Sequence, residues 1–436
     1  MRLPIYLFSV RLIALVLLTG AVNFAHVRPI RADLLVKPND LIAVCTDLRP
    51  QQKMVSVDIE GYFLMCAPIE GVRTYEAGAH RESIESFMKR VDNDLKPLHP
   101  SIVLTSYGFD NGRNTPDSRS FTYYEPTYAT MAVAGLKKLG VRNILLGSSS
   151  VADSKYFDSG AEAADKWNAN LGLFRSVYQG VAQKENVQFV DLYTPLMSVM
   201  PKAKALYGEN YHFGCNGAWD GYPSANAQLV MAYSFLKSLG CDGDIGTITL
   251  DLPANTATGS PGHKVLSSAS GVVTIESTRY PFCFSGNPAM PESTSGTAAL
   301  FPFNEDLNRY NLVVKGLRSD RAKVTWGTET REFTAAELAT GVNLAAAFAA
   351  HTPFDAQFAK IDAAVWKRQE KHKTFNESYF RAVTDLKKMA PTQTDAIDKL
   401  GQTILVEDQH MYDAEKALVI PVQHTLKIEA ITNAAK

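Results

Sequence analysis

Residues that could carry chemistry lie at the ends of apolar runs in the first half of this 436-residue chain. Acidic, amide, histidine and aromatic side chains follow three such runs and precede a later helical pattern. Parallel strands collect ligands at their carboxyl ends, so a binding or catalytic site is expected at these positions. The candidate ligand-binding residues are Asp47, His80, Asp110, Asn111, His212, Trp219, Asp220 and Tyr222.

The acidic members of this set have two interpretations. Asp47, Asp110 and Asp220 could converge with His80 on a divalent cation or on sugar hydroxyls, because oxygen-rich clusters suit hard cations such as calcium. Alternatively, Asp47 caps the following helix, while Asp110, Asn111 and Asp220 build turns. Caps and turns are the ordinary use of Asp and Asn. We therefore expect neither a metal site nor a cofactor.

The aromatic residues near the same loops also have two interpretations. Trp219, Tyr222 and Phe109 could form a face that stacks on sugar rings. Aromatic residues beside a loop more often pack against the core, and we favour packing here.

A triad of Thr46, His212 and Asp220 is one arrangement that would support hydrolysis. In it the hydroxyl attacks, the histidine removes its proton and the aspartate orients the histidine. Nucleophile and base must lie about 2.6–3.2 Å apart, which spacing along the chain does not establish. This triad is therefore an alternative and not the main expectation.

The elements that must position these residues alternate between residues 40 and 241. Apolar runs separated by amphipathic stretches are typical of a parallel sheet connected by helices. Right-handed crossovers then predict a three-layer α/β/α, doubly wound sheet of the flavodoxin-like type with strand order 2-1-3-4-5. The predicted strands are residues 41–45, 72–75, 101–107, 143–146 and 187–192, and the predicted helices are residues 52–66, 81–95, 123–139, 161–184, 195–207 and 225–239.

The composition of the chain divides it into further regions. Residues 38–243 are predicted to be the α/β domain. Residues 244–332 are rich in Thr, Ser, Gly and Pro with short β-branched runs, which predicts a small antiparallel β region. Helix formers return after that, so residues 333–436 are predicted to be a helical C-terminal region, although its last 45 or so residues carry only a weak pattern.

The N-terminus has the features of an export signal. Arg2 and Arg11 precede an apolar run over residues 12–22, and cleavage after Ala25 or Ala32 fits the small residues there. The run is short for a membrane span, so we expect removal of residues 1–32 and a periplasmic or extracellular protein with no stable span. The alternative is an uncleaved anchor helix.

The charge of the chain excludes two classes of partner. The formal net charge is −1, and neither half carries a long basic run. Neither nucleic acid nor an anionic membrane surface is therefore an expected partner.

Cysteine, histidine and asparagine residues elsewhere have structural interpretations. The five cysteines show neither Cys-x-x-Cys nor zinc spacing, and Cys45 and Cys66 lie in apolar runs that predict a core position. His372 lies in the lysine-rich residues 367–373 and is predicted to face solvent. Asn376 begins a formal glycosylation sequence that we expect to be unused.

The order of these motifs resembles the SGNH, or GDSL-type, hydrolase family in its secreted bacterial form. That family has Gly-Asp-Ser after strand one, Gly after strand two, Gly-x-Asn-Asp after strand three and Asp-x-x-His-Pro before the last helix. Residues 52–66, 229–237, 303–309 and 324–327 are similar to further segments of the family, so the resemblance spans most of residues 38–370. It implies the three-layer fold and the hydrolysis of carboxylic esters.

Three catalytic roles of that family fall on residues unable to perform them. The nucleophilic serine falls on Leu48, which has no atom that can attack a carbonyl. The oxyanion asparagine falls on Asp110, whose carboxylate would repel the developing charge. The general-base histidine falls on Tyr222, and a phenol is a poor base at neutral pH. Gly78 matches the family's oxyanion glycine, and Asp47 matches its aspartate.

The resemblance therefore predicts an exported, catalytically degenerate relative with a binding or scaffolding role. The ligand it implies is a glycan or an acylated surface polymer, since carbohydrate esters are the family's usual extracellular substrates. One alternative is an active esterase or acetylesterase with relocated catalytic residues, and another is a purely structural partner of an envelope complex. A fold alone does not decide among them.

Overall fold

A five-stranded parallel sheet forms the centre of the protein, with strand order 2-1-3-4-5 as predicted. The computed structural model describes residues 33–47, 55–79, 81–112, 119–153, 160–215 and 222–432. The strands of this sheet are β1 (Leu41–Thr46), β2 (Arg73–Glu76), β3 (Ile102–Ser106), β4 (Asn143–Gly147) and β5 (Gln188–Val190).

The inner strands of this sheet are buried on both faces. Every residue of β1 and of β3 is buried. Such continuous burial is typical of a parallel sheet that helices cover on both sides. In register, Ala43 of β1 lies between Tyr75 of β2 and Val103 of β3. The three-layer, doubly wound fold is therefore confirmed.

Helices connect the central strands and form a layer on each face. They are α1 (Val55–Gly61), α2 (Ile84–Asp94), α3 (Glu125–Lys138), α4 (Ala161–Glu185), α5 (Tyr193–Tyr207) and α6 (Ala225–Ser238). Helix α1 packs against α6, whereas α2 packs against α3 and α3 against α4. Right-handed crossovers give this division between faces for this strand order.

Short turns of other helical types extend or join these elements. The helix predicted for residues 52–66 is described from Val55 and continues after Gly61 as a π-helical turn. The π-helical turns are Tyr62–Cys66, Ser120–Tyr124 and Asn376–Phe380, and the 3-10 turns are Lys96–Leu98, Asp110–Gly112, Ser295–Thr297 and Pro391–Gln393.

The chain after Gly243 builds two further sheets. Their strands are β6 (Asp244–Asp251), β7 (Thr256–Gly259), β8 (His263–Ala269), β9 (Val272–Ser277), β10 (Arg309–Lys315), β11 (Arg321–Trp326), β12 (Glu329–Thr334), β13 (Val342–Asn343) and β14 (Val422–Ala430). One sheet has the order β13-β10-β6-β7, and the other has the order β12-β11-β14-β9-β8.

Two features of these sheets differ from the sequence-based expectation. Strands β6 and β10 pair in parallel, so the region is not wholly antiparallel. The long connection between them, which includes β8 and β9 of the other sheet, serves as the crossover that a parallel pair needs. The C-terminal region is also not wholly helical, because β14 lies between β11 and β9.

The remaining helices pack beside the central sheet and the smaller sheets. They are α7 (Phe303–Leu307), α8 (Ala335–Thr340), α9 (Leu344–Ala347), α10 (Asp355–Phe375), α11 (Val383–Met389) and α12 (Thr394–Ala417). Helix α10 contacts α1, β2 and α12. This position buries His372 completely, so the prediction that it faces solvent was wrong. Asn376 is buried as well.

The predicted signal segment, residues 1–32, lies outside the described residues. Within them, no helix combines the length and the apolar character that crossing a membrane requires. Signal cleavage and export therefore stay predictions.

Candidate functional site

The carboxyl ends of β1, β2 and β3 place several predicted site residues at one edge of the sheet. Asp47 follows β1, Gly78 lies two residues after β2, and Asp110 and Asn111 form part of the turn after β3. His212 and Tyr222 lie between α5 and α6. Four other predicted site residues lie outside the described part of the chain, namely Leu48, His80, Trp219 and Asp220.

Asp47 joins the loop after β1 to the loop after β3. Its Oδ2 accepts the backbone N–H of Phe109 at 2.8 Å, and its own N–H donates to the carbonyl of Ser106 at 3.1 Å. The described carboxylate contact is therefore to the neighbouring loop and not to the start of α1. Burial raises the pKa of Asp47 well above its usual range, and the charge of Asp110 adds to the shift. Among the described residues, Oδ1 has no hydrogen-bond partner.

Gly78 lies close to the end of β1, and its N–H is bound by Glu76. The Gly78 N–H donates to Glu76 Oε1 at 2.9 Å, and Ser56 Oγ donates to Glu76 Oε2 at 2.9 Å. A Cβ at position 78 would lie 2.8 Å from the carbonyl oxygen of Thr46, which explains the glycine. Burial raises the pKa of Glu76. The N–H that the family resemblance assigns to an oxyanion is thus bound to a buried carboxylate.

Asp110 and Asn111 lie in a turn, which was one of the two interpretations of these residues. Arg81 Nε donates to both carboxylate oxygens of Asp110, at 2.9 and 3.1 Å. Asn111 Nδ2 donates to Glu125 Oε2 at 2.6 Å, and Tyr178 OH donates to the other oxygen of Glu125. Burial raises the pKa of Glu125. Asn111 therefore has a structural partner, whereas Asp110 forms a partly exposed ion pair.

Phe109 is packed and does not form a sugar-stacking face. Its ring stacks on Trp167 with centroids 4.8 Å apart, and Trp167 Nε1 donates to the Phe109 carbonyl at 2.7 Å. Phe109 is buried. The packing interpretation is therefore confirmed for this residue.

His212 and Tyr222 contact each other at this edge. Their rings meet edge to face with centroids 5.6 Å apart. Burial lowers the pKa of His212, partly offset by Asp153, so its imidazole is neutral at neutral pH. The segment after His212 is anchored to the loop that follows β4, because Asp153 Oδ2 accepts the N–H groups of Phe213 at 2.8 Å and Gly214 at 3.2 Å.

Cys215 belongs to this anchored segment, and its N–H donates to the carbonyl of Val151 at 2.8 Å. Burial raises the pKa of its thiol, and the charges of Asp47, Asp153 and Asp110 contribute to the shift. Asp47 and Asp110, the acidic candidates that the structure describes, follow the neighbouring strands β1 and β3, and Asp47 binds the N–H of Phe109 next to Asp110.

The hydroxyl groups near this edge differ in their surroundings. Ser106 Oγ donates to the carbonyl of Ser148, and Ser148 Oγ accepts the backbone N–H groups of Leu192 and Tyr193. These contacts give both serines structural roles. Thr46, the hydroxyl of the alternative triad, is buried. Its partner Asp220 lies outside the described residues, so the triad is not tested.

Sequence reasoning missed Glu76, Ser56 and Arg81 as members of this site. Glu76 ends a buried strand, where a carboxylate is unusual unless it has partners. This unusual position is the feature of the sequence that could have indicated Glu76 as a site residue. The partners of its carboxylate are Ser56 of α1 and the N–H of Gly78, and Arg81 instead pairs with Asp110; spacing along the chain does not reveal these contacts.

Comparisons with known proteins find a solved structure that shares the architecture of this chain. No protein-family model matches the chain, and no curated protein matches it in sequence. Among solved structures, a gut microbial diltiazem-metabolizing enzyme is 16% identical, with a TM-score of 0.65, and the match covers 93% of this chain and 99% of that one. The appended sheets and helices are thus largely included.

Two further solved structures match a smaller part of the chain. A catalytic mutant of an acetylxylan esterase from Geobacillus stearothermophilus is 16% identical over 47% of this chain and 96% of its own, with a TM-score of 0.36. An α/β hydrolase enzyme from the metagenome of Lake Arreo, Spain, is 15% identical over 48% of this chain and 99% of its own, with a TM-score of 0.35.

Proposed function

We propose that this chain is an exported, SGNH-type hydrolase-like protein that binds a carbohydrate ligand at the carboxyl edge of its central sheet without hydrolysing esters. Support for export comes from the signal-like residues 1–32. Support for the SGNH type comes from the order of the motifs around Asp47, Gly78, Asp110 and Tyr222.

The observation that carries the loss of hydrolysis is the hydrogen bond from the Gly78 N–H to Glu76. Ester hydrolysis builds a negatively charged oxygen, and an oxyanion hole must offer donors to it. Here the Glu76 carboxylate already accepts the hydrogen bond of one such donor, the Gly78 N–H. The carboxylate of Asp110 lies at the position where the family has an amide donor. Losing one such donor typically costs about 3–4 kcal/mol of transition-state stabilisation, so two losses oppose catalysis strongly.

A hydroxylated ligand suits the groups at this edge. Carboxylates accept hydrogen bonds from hydroxyl groups, and Asp110 is partly exposed there. The partly buried ring of Tyr222 offers a surface for an apolar sugar face. The ligand class itself, a glycan or an acylated surface polymer, comes from the family resemblance.

Hydrolysis by relocated residues is the alternative function. One observation favours it, because the lowered pKa of His212 leaves a neutral imidazole that could accept a proton at neutral pH. In this alternative Thr46 would supply the nucleophile and Asp220 would orient the histidine.

Turnover separates these two functions. We would incubate the purified full chain with p-nitrophenyl acetate, with acetylated xylo-oligosaccharide and with a serine-directed fluorophosphonate. The proposal expects no acetate release above that of buffer and no covalent labelling. Acetate release that disappears in Thr46→Val and His212→Gln would establish the alternative and overturn the proposal.

A binding measurement tests whether the protein binds a carbohydrate ligand, as the proposal states. Isothermal titration with the acetylated xylo-oligosaccharide is expected to show binding that Asp110→Ala weakens by about tenfold, in line with the loss of a charge-assisted contact. Asp385→Ala is the matched control, since Asp385 is an exposed carboxylate that pairs with Lys388 on α11. Absence of binding to acetylated and deacetylated glycans alike would contradict the proposal.

Export has its own test. Protein recovered from outside the cytoplasm of intact cells is expected to begin after Ala25 or Ala32 when its N-terminus is sequenced. Recovery only in the cytoplasm with an intact N-terminus would contradict export.

A further inference from the structure

Helix α10 takes the place of a neighbouring strand along β2, which lies at the edge of the central sheet. Gln369 Oε1 and His372 Nδ1 both accept the backbone N–H of Glu76, at 3.0 and 3.1 Å. Asn376 Nδ2 donates to the carbonyl of Glu76 at 2.9 Å. The three side chains share one helical face, and they satisfy backbone groups that would otherwise be buried without partners.

The side chain of Glu76 has partners outside α10. One carboxylate oxygen accepts the Gly78 N–H and the other accepts the hydroxyl of Ser56, each at 2.9 Å. The positive charge of Arg90 also favours the ionised carboxyl group. Two donors and a nearby cation are therefore arranged around a single carboxylate.

The C-terminal region also binds Gly78, which lies two residues after β2. Arg381, which follows the π-helical turn after α10, donates through Nη2 to the carbonyl of Gly78 at 3.1 Å. The ring of His372 stacks on that of Tyr75 with centroids 3.8 Å apart. Residues 75–78 are thus contacted by α10 and by the segment that follows it.

We propose that the Gly78 N–H and the Ser56 hydroxyl form a subsite for a small carboxylate, that Glu76 fills this subsite as an internal anion, and that α10 holds Glu76 in place. The contact is autoinhibitory, because an external carboxylate can reach the two donors only when Glu76 is removed or displaced. This inference uses the site described above, but it does not depend on the glycan ligand.

The Gly78 amide can be observed selectively in the full chain. The sequence contains two Ala-Gly steps, Ala77-Gly78 and Ala134-Gly135. Labelling with ¹³C-carbonyl alanine and ¹⁵N-glycine therefore leaves two amide resonances in a carbonyl-filtered spectrum. Gly135 lies inside α3, away from the proposed subsite, and is an internal control for folding.

Sodium acetate is the probe, and three proteins test the subsite. In the wild type, acetate is expected to leave the Gly78 resonance unchanged. In Glu76→Ala, that resonance should move upfield in the proton dimension without acetate and return toward the wild-type position in a saturable titration. In Glu76→Gln, which keeps an oxygen that can accept the N–H, acetate should have little effect. Gly135 should stay constant in all three.

Two outcomes would overturn the subsite. One is a Gly78 resonance at the same position in Glu76→Ala as in the wild type. The other is a Glu76→Ala protein whose Gly78 resonance does not respond to acetate while Gly135 shows that it is folded. Failure of glycan binding with a saturable acetate response in Glu76→Ala would instead reject the proposed ligand and leave this subsite supported.

The role of α10 is tested by His372→Phe, which keeps an aromatic ring for Tyr75 but removes the acceptor for the Glu76 N–H. In this variant the Gly78 amide resonance is expected to move partway toward its position in Glu76→Ala and to respond partly to acetate. Lys388→Ala, at an exposed site on α11, is the matched control and should change nothing. A folded His372→Phe protein with an unchanged Gly78 resonance would overturn this part. If His372→Phe does not fold, Asn376→Asp replaces it, because this variant loses the donor to the Glu76 carbonyl. A folded Asn376→Asp protein with an unchanged Gly78 resonance would likewise overturn this part.

Discussion

The hydroxyl of Ser277 lies 2.9 Å from Nε2 of His424, where the two smaller sheets meet. Trp326 Nε1 donates to Nδ1 of the same histidine at 3.1 Å, so Nε2 carries the proton and donates to Ser277. Ser277 then donates to Nδ1 of His263 at 2.9 Å, and Nε2 of His263 donates to the carbonyl of Ile245 at 2.9 Å. The bonds run in one direction, and both imidazoles are neutral.

Acid is expected to destabilise the fold through this chain of hydrogen bonds. Burial lowers the pKa of both histidines, and that of His424 to about 3. The charged groups near His263 are Arg279 and Asp244, and the Tyr310 hydroxyl contacts His424. The unfolded chain takes up protons near pH 6.5, before the folded one. The free energy of unfolding should therefore fall below that pH, by up to about 1.4 kcal/mol per pH unit per histidine.

Urea unfolding between about pH 7.5 and pH 4 measures this slope. His424→Leu should lower the stability at neutral pH and make the pH dependence shallower. His410→Gln is the control, because His410 lies exposed on α12. Equal slopes for the wild type and His424→Leu would contradict the prediction.

Arg368 is expected to be the most sensitive charged residue in the C-terminal region. It is fully buried and pairs with Glu60, with Asp408 at 2.9 Å and with Glu415 at 3.0 Å. Burial and the nearby Glu60 raise the pKa of Glu415 to about 8. Arg368→Met should lower the free energy of unfolding by about 3–5 kcal/mol, because it leaves buried carboxylates without their cation.

A lysine should not replace this arginine. The three carboxylates contact different nitrogens of one planar guanidinium, which an ammonium group cannot reproduce. Denaturant midpoints for Arg368→Lys and Arg368→Met measure this directly. Arg331→Met is the control, because Arg331 forms a long, exposed pair with Glu329, and its loss should cost less than about 1 kcal/mol. Similar losses at both positions would refute the prediction.

The central sheet could be predicted because its signals are local. Each strand is a short apolar run, and a helix pattern separates it from the next. Strand β14 was missed because two of its three buried positions, Leu426 and Ile428, are aliphatic and the third is His424. That histidine is accommodated by Ser277 and Trp326, which are distant in sequence and become neighbours only in the fold.

The sequence predicted where the candidate site residues lie along the strands, but not the hydrogen bonds between them. The ends of the strands placed Asp47, Gly78 and Asp110 at one edge, since parallel strands end there together. The same reasoning could not show that Glu76 binds the Gly78 N–H, because that contact depends on the path of the loop. His372 failed for a related reason: its lysine-rich neighbours face solvent, whereas its own side chain meets an edge strand and Asp408.

Gly78→Ala should destabilise the protein by about 1–3 kcal/mol, as expected when a backbone contact must shift in a packed region. The added Cβ would lie 2.8 Å from the Thr46 carbonyl oxygen and 2.6 Å from Glu76 Oε1. Thermal and urea unfolding measure the change. Gly180→Ala is the matched control, because Gly180 lies inside α4 with no atom within 4 Å of the added Cβ. It should gain up to about 1 kcal/mol from helix propensity, and a loss as large as that of Gly78→Ala would contradict the argument.

The cysteines are expected to react with thiol reagents only after unfolding. All five are buried as thiols, and the core positions predicted for Cys45 and Cys66 are confirmed. Burial raises the pKa of each thiol that faces the core, that of Cys241 to about 12, which suppresses the reactive thiolate at neutral pH. Titration of the native protein with Ellman's reagent should therefore release almost no chromophore within minutes, whereas the same protein in guanidinium should release five equivalents. Fewer than five after unfolding without reductant would show a disulfide and contradict the thiol assignment, and rapid reaction of the native protein would contradict the burial argument.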